Sequence, residues 1–155
     1  MNGAELKTIR ESLGLSLQWL ADKASVSHRS AAYWEAGAKI PNDVIKLILS
    51  LEKSVNNAVA NALISIIDAT ENQQGLPDRI VLVRYKTDQD LWRFRKDMAG
   101  FPASYHASIL YRLRTEITKL GIACHVVWLD PIKYIEWLGN REDSESMRSA
   151  WAALA

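Results

Sequence analysis

Residues 15–41, LSLQWLADKASVSHRSAAYWEAGAKIP, carry the pattern from which the rest of the chain is read. Ser16 is a short polar residue directly before an amphipathic run. That predicts a helix N-cap and a helix to about Ala24, with Leu20 and Ala21 inward. Ser27 repeats the signal and predicts a second helix to about Ala36, with Ala31 and Trp34 inward and Gly37 as its stop. Between them lies a tight turn, Ala24-Ser25, followed by Val26, an apolar residue suited to lock the angle between the helices. Ala21 is small and sits mid-helix, where a crossing helix needs room. Ser27, His28, Arg29 and Ser30 make the start of the second helix polar and exposed, and Trp34-Glu35-Ala36-Gly37 turns the chain away.

A small crossing residue, a tight turn and a second helix polar at its start form the pattern of a helix-turn-helix. On Leu15, Leu20, Ala21, Lys23, Val26, Ser27, Trp34, Glu35, Gly37 and Pro41 the chain resembles the Xre, or λ-repressor-like, family of DNA-binding proteins. The narrower string SHRSAAYWEAG, followed by IPNDV, is similar to the branch that includes anti-CRISPR-associated autorepressors. Those pair an Xre-type N-terminal domain with a small mixed α/β dimerisation domain. Two positions depart from the family. Leu17 stands where Gln is usual as a phosphate or base contact, so Gln18 or the Ser16 cap anchors the backbone there or the contact is missing. Ser25 stands where the turn usually has Gly, and a left-handed backbone there would have to be accepted by an L residue.

The resemblance implies an α+β fold. A λ-repressor-like all-α domain with a long connecting helix is expected over 1–70, and a small mixed α/β dimerisation domain over 79–155. The rest of the chain agrees. Asn2 with Glu5 reads as a capping box before Leu6, Ile9 and Leu13, and Gly14 ends that helix. After Pro41 a long helix is predicted from Asp43 to about Ala69, because Val44, Ile48, Leu51, Val55, Ala58, Ala62 and Ile66 step by threes and fours. Its apolar surface exceeds what the small bundle can cover, so part of it should face the C-terminal half or a second copy. ENQQGLPD, 71–78, reads as a linker. Strands are predicted at Ile80–Tyr85 and Ile122–Leu129. Helices are predicted from Thr87 to about Met98, from Ser104 or Tyr105 to Leu120, from Pro131 to about Leu138, and from Asp143 to Leu154.

Composition bounds the function classes. An apolar fraction of 48% and a charged fraction of 24% fit a chain able to bury a core. The single Cys124 allows no intrachain disulfide and no Cys-rich metal framework, and the net charge of +1 announces no partner. No run reads as a signal peptide or approaches the roughly 20 apolar residues of a membrane helix. A cytoplasmic, nucleoid-associated chain with no membrane partner is therefore expected. Catalysis finds no support: Cys124 and His125 fall on opposite faces of a strand, and His106 and His125 are too isolated for metal ligands. No enzyme activity, metal or cofactor is expected, and Trp137 is the tryptophan marked as a candidate exposed contact.

The DNA-contact candidates follow from the resemblance and from side-chain chemistry. Arg29 has the planar fork to read guanine O6 and N7, the alternative being a phosphate contact. His28 and Tyr33 are base or phosphate candidates, although Tyr33 has packing as its alternative. Ser16, Gln18, Ser27 and Ser30 combine capping with phosphate contact, and Lys39 and Asn42 are phosphate candidates that position without reading sequence. One such motif reads few base pairs, so a homodimer on an inverted-repeat double-stranded operator is expected, with the short C-terminal strands exposing edges that a two-fold would cover. Residues 79–120 hold nine basic side chains against four acidic. Arg84, Lys86, Arg93, Arg95, Lys96, Arg112 and Arg114, interleaved with Tyr85, Trp92, Tyr105 and Tyr111, form a possible second nucleic-acid surface, the alternative being a solvated face over core aromatics. The reading is a repressor, acting on its own operon. The alternatives are an antitoxin whose C-terminal half binds a toxin protein, and a regulator that binds RNA as well as DNA.

Overall fold

Each of the first three helices starts at a cap supplied by its own sequence. The computed structural model describes residues 1–72 and 77–154, and the side chains of all of these except 69–72. In α1 (Gly3–Ser12) the Asn2 side chain accepts from the Glu5 N–H while the Glu5 carboxylate accepts from the Asn2 N–H, a complete capping box. Ser16 caps α2 (Leu17–Lys23) and Ser27 caps α3 (His28–Glu35). Pro41 precedes α4 (Asn42–Asn72), a helix of 31 residues. The chain divides into two compact units, Met1–Ala58 and Val59–Ala155, with the division inside α4. Residues 73–76 of the expected linker lie outside the described residues.

The core of the first unit gathers Leu6, Leu20, Ala21, Ala31, Trp34, Ile40, Val44 and Ile48, with Leu17 and Val26 packed against it. Two features bind α1 to α3. At Gly3 a side chain would have no room, because an added Cβ would lie 2.5 Å from the carbonyl oxygens of both Trp34 and Glu35. Two turns along the same face, Arg10 is only 6% exposed. Its Nε donates to Glu35 Oε1 at 2.6 Å, its Nη2 to Glu35 Oε2 at 3.2 Å, and its Nη1 to the Leu15 carbonyl at 2.6 Å.

The second unit is built on two parallel strands, β1 (Arg79–Arg84) and β2 (Ala123–Trp128), in register from Arg79 against Ala123 to Arg84 against Trp128. Parallel strands need a long crossover, here supplied by α5 (Asp88–Phe94), a 3₁₀ turn (Lys96–Met98) and α6 (Ala103–Lys119). The chain then adds α7 (Pro131–Leu138) and α8 (Glu145–Ala152). Among the described residues the fold is thus mixed α+β and mostly helical, with eight α-helices and one two-stranded sheet. Val81, Val83 and Tyr85 of the first strand region pack with Leu91, Leu129, Tyr134, Leu138 and Ala152. At the rim of that core the exposed Asp143 accepts from the hydroxyl of buried Tyr134 at 2.5 Å and from buried Arg148 at 2.6 Å. Among the described residues no helix is long and apolar enough to cross a membrane.

Three sequence expectations are corrected in this unit. The single helix over 87–98 is divided at Arg95, whose backbone (φ −127°, ψ 77°) leaves the helical region while its guanidinium is held by Asp97 and Glu145. The next helix opens at Ala103, earlier than Ser104 or Tyr105, because its first N–H is capped from a distance by Asp88 Oδ1 at 2.7 Å. Trp137 is half-buried, stacked on Tyr134 and covered by Arg141, whose guanidinium lies 3.9 Å from the ring centre; the exposed tryptophans of this unit are Trp92 and Trp128.

Removing one partner of the buried pair leaves the other charge stranded, which costs about 3–5 kcal/mol. Arg10→Met is therefore expected to lower the urea stability of the first unit by that order, and pairing it with Glu35→Leu to restore much of the loss. In the second unit His106 is 4% exposed, its Nδ1 meets no hydrogen-bond partner among the described residues, and Tyr85 lies edge-on at 5.2 Å. Burial, then the Arg95 guanidinium, holds its imidazole down to about 4. The folded state thus disfavours the proton that the unfolded chain takes up near pH 6.5. Stability is whole above that pH, falls by about 3 kcal/mol as pH drops to about 4, and levels off below. Thermal melts across pH 7 to 4 are expected to show a slope in the wild type that His106→Leu reduces.

Candidate nucleic-acid interface

The turn between α2 and α3 is built by main-chain hydrogen bonds. The Val26 N–H donates to the Ala21 carbonyl at 3.0 Å and the Ser25 N–H to the Asp22 carbonyl at 3.2 Å, which closes α2 with a Schellman arrangement. α1 and α3 close in the same way, through Gly14 (φ 68°) and Gly37 (φ 113°). Only α2 places an L side chain in that role: Ser25 has φ 56°, and it is the sole non-glycine with positive φ among the described residues. The left-handed geometry expected of a glycine is thus accepted by serine. Val26 then packs into the core beside Leu20 and Ala21, which sets α2 against α3.

The outward face of α3 is where the candidate residues gather. His28, Arg29 and Tyr33 are exposed, Tyr33 by 50%. Arg29 Nε donates to the Tyr33 hydroxyl at 2.8 Å with its guanidinium 5.5 Å from that ring, so one turn of helix braces the side chain. The two terminal nitrogens of the fork meet no hydrogen-bond partner among the described residues. Ser27 Oγ accepts from the Ser30 N–H at 3.1 Å and lies 3.0 Å from Ser30 Oγ, so both hydroxyls are tied to the cap. The one carboxylate of α3, Glu35, points inward to Arg10. Its charge is answered inside the unit, and the outward face is left without an acidic group.

Other candidates are distributed around this face. Ser16 Oγ accepts from the Trp19 N–H at 3.0 Å, and Gln18 Nε2 donates to Asp22 Oδ1 at 2.6 Å. Leu17 is partly buried against the core, which explains the absence of a polar residue there. Lys39 and Asn42 are exposed, the former in the segment after α3 and the latter at the first residue of α4. Arg10 and Gly3 were missed as determinants of this site. Arg10 did carry a signal, since it falls between Leu6 and Leu13 on the inward stripe of α1.

The basic residues of the second unit are engaged differently. Arg84 lies over the Trp128 ring at 4.9 Å and Arg93 over Phe94 at 5.4 Å. Arg95 is paired with Asp97 at 2.9 Å and Glu145 at 3.4 Å, and the Asp97 hydrogen bond raises its already high proton affinity. Lys86 and Lys96 are exposed. Of the interleaved aromatics, Tyr85 and Tyr105 are buried, Trp92 donates its indole N–H to the Phe101 carbonyl at 2.7 Å, and Tyr111 is exposed. Cys124 is buried, which pushes its thiol pKa up, while the neighbouring His125 is exposed. Among the described residues no group of three or more His, Cys, Asp or Glu side chains is placed to hold a metal ion.

No protein-family model matches the chain, and no curated protein matches it. The Ser25 geometry yields a direct test. A left-handed L residue costs about 1–2 kcal/mol, partly offset by the greater freedom glycine has when unfolded. Ser25→Gly is expected to raise the stability of the first unit by about 0.5–1 kcal/mol in urea titrations, with no change in helix content.

Proposed function

We propose that this protein is a sequence-specific DNA-binding repressor of the Xre, λ-repressor-like type, and that α2, the Ser25 turn and α3 are its helix-turn-helix. The observation that carries the reading is the outward face of α3. It presents His28, the braced fork of Arg29 and Tyr33, while its only carboxylate is consumed by Arg10. A phosphate backbone repels exposed carboxylates and attracts such a face. In this geometry the N-terminal half of α3 enters the major groove, and Arg29 pairs with guanine O6 and N7. Lys39, Asn42 and the Ser16 and Ser27 caps meet phosphates and hold the register.

One α3 reads too few base pairs to select a site, so the reading includes a homodimer on an inverted repeat. Occupying a promoter is enough to repress, and autoregulation of the protein's own operon is the simplest use of such a chain. We keep nucleic-acid contact on the first unit. In the second, the charge of Arg95 is met by two carboxylates and two of the four aromatics are internal, which leaves a weaker platform for stacking.

Selection from random duplex DNA is expected to enrich an inverted repeat with half-site centres about 10 bp, or a multiple of one helical turn, apart. Arg29→Ala is expected to cost about 1–3 kcal/mol on that duplex and to relax the preference at one position of each half-site. Lys39→Ala should weaken all duplexes alike and reduce the salt slope by about 1. Weak binding with a steep salt dependence and no consensus would overturn the proposal.

A further inference from the structure

The strand β2 has one side paired with β1, and no third strand pairs with its other side among the described residues. The Leu129 N–H donates to the Arg84 carbonyl at 2.8 Å. Main-chain groups alternate sides along a strand, so Cys124, Val126 and Trp128 turn their N–H and C=O groups outward. The devices that protect a sheet edge are missing here. The segment ACHVVW has no Lys, Arg, Asp, Glu or Pro, and its six-residue register with β1 is unbroken by a bulge. Val126 is 40% exposed and Trp128 51%.

We propose that β2 pairs antiparallel with β2 of a second copy of this chain, about a two-fold axis at Val126. The result is one four-stranded sheet in the order β1-β2-β2-β1. A two-fold sets each side chain against its own kind or its mirror position, so a charged strand would repel itself and an uncharged one does not. The parity also fits. The residues with outward main-chain groups are the ones that must exchange hydrogen bonds if Val126 meets the partner's Val126 and Trp128 meets the partner's Cys124. Those three side chains share a face with Leu82 and Arg84, their register partners being on that side, so pairing covers the exposed Val126 and Trp128 while Arg84 remains over the indole. The proposal deepens the dimeric reading above and rests on it.

The test uses the full chain in sedimentation velocity, with circular dichroism to verify the fold. The wild type is expected to be a dimer. Val126→Glu sets two carboxylates opposite each other, and repulsion of that kind should weaken dimerisation about a hundredfold or more. Val126→Cys is the milder variant. A hydrogen-bonded antiparallel pair has a Cα separation of about 5.5 Å, inside the disulfide range, so oxidised glutathione should cross-link it, while wild-type Cys124, facing Trp128, stays uncross-linked. A dimer that Val126→Glu leaves intact and Val126→Cys fails to cross-link would overturn this seam and point to another surface, such as exposed Ile64 and Ile67 on α4. A monomeric wild type would overturn the seam and the dimeric reading together. A dimer linked through Val126 that selects no DNA sequence would uphold the seam and overturn the operator reading alone.

Discussion

Arg10 brings one guanidinium to three acceptors at once: both oxygens of Glu35 at the end of α3, and the carbonyl of Leu15 in the turn before α2. A cation this far from water is costly unless every donor is used, and a buried pair of this kind contributes less to net stability than to a single arrangement of the parts. Gly3 permits the geometry, since its missing side chain lets α1 rest on the main chain of Trp34 and Glu35. Together these contacts fix the C-terminal end of α3 to α1 and leave its N-terminal end facing outward. They also remove the single negative charge of α3 from its surface. The packing of the first unit and the electrostatics of its candidate interface therefore depend on the same pair.

The helices of the first unit were legible because their ends are written in local chemistry. Asn2, Ser16 and Ser27 cap, and Gly14 and Gly37 stop. The long helix was legible from its stripe, and the strands from their β-branched runs. What was hidden depends on distant partners. Arg10 falls on the inward stripe of α1, but its partner Glu35 stands 25 residues on, where no local pattern points to it. Arg95 at its break also reaches Glu145, 50 residues on, and the first N–H of α6 is met by Asp88, neither of which a local pattern weighs. Trp137 was misjudged for the same reason: Tyr134 and Arg141 cover it, while Trp128 lies exposed on β2.

The candidate site divides in a similar way. Its residue types were readable, because Ser, His and Arg at the start of a capped helix are informative in themselves. The bracing of Arg29 by Tyr33 was not, although the two stand four residues apart and share a helix face. In the proposed complex, a hydroxyl that holds the guanidinium ready reduces the side-chain freedom Arg29 loses on binding.

In the proposed account the first unit supplies a rigid reader and the second a means of doubling it. The most direct measurement is hydroxyl-radical footprinting of the full chain on its selected duplex. The account predicts two protected patches on one face of the DNA, their centres about one helical turn or a whole multiple apart, with protection symmetric about the repeat. A single patch, or uniform protection that tracks only salt concentration, would contradict it.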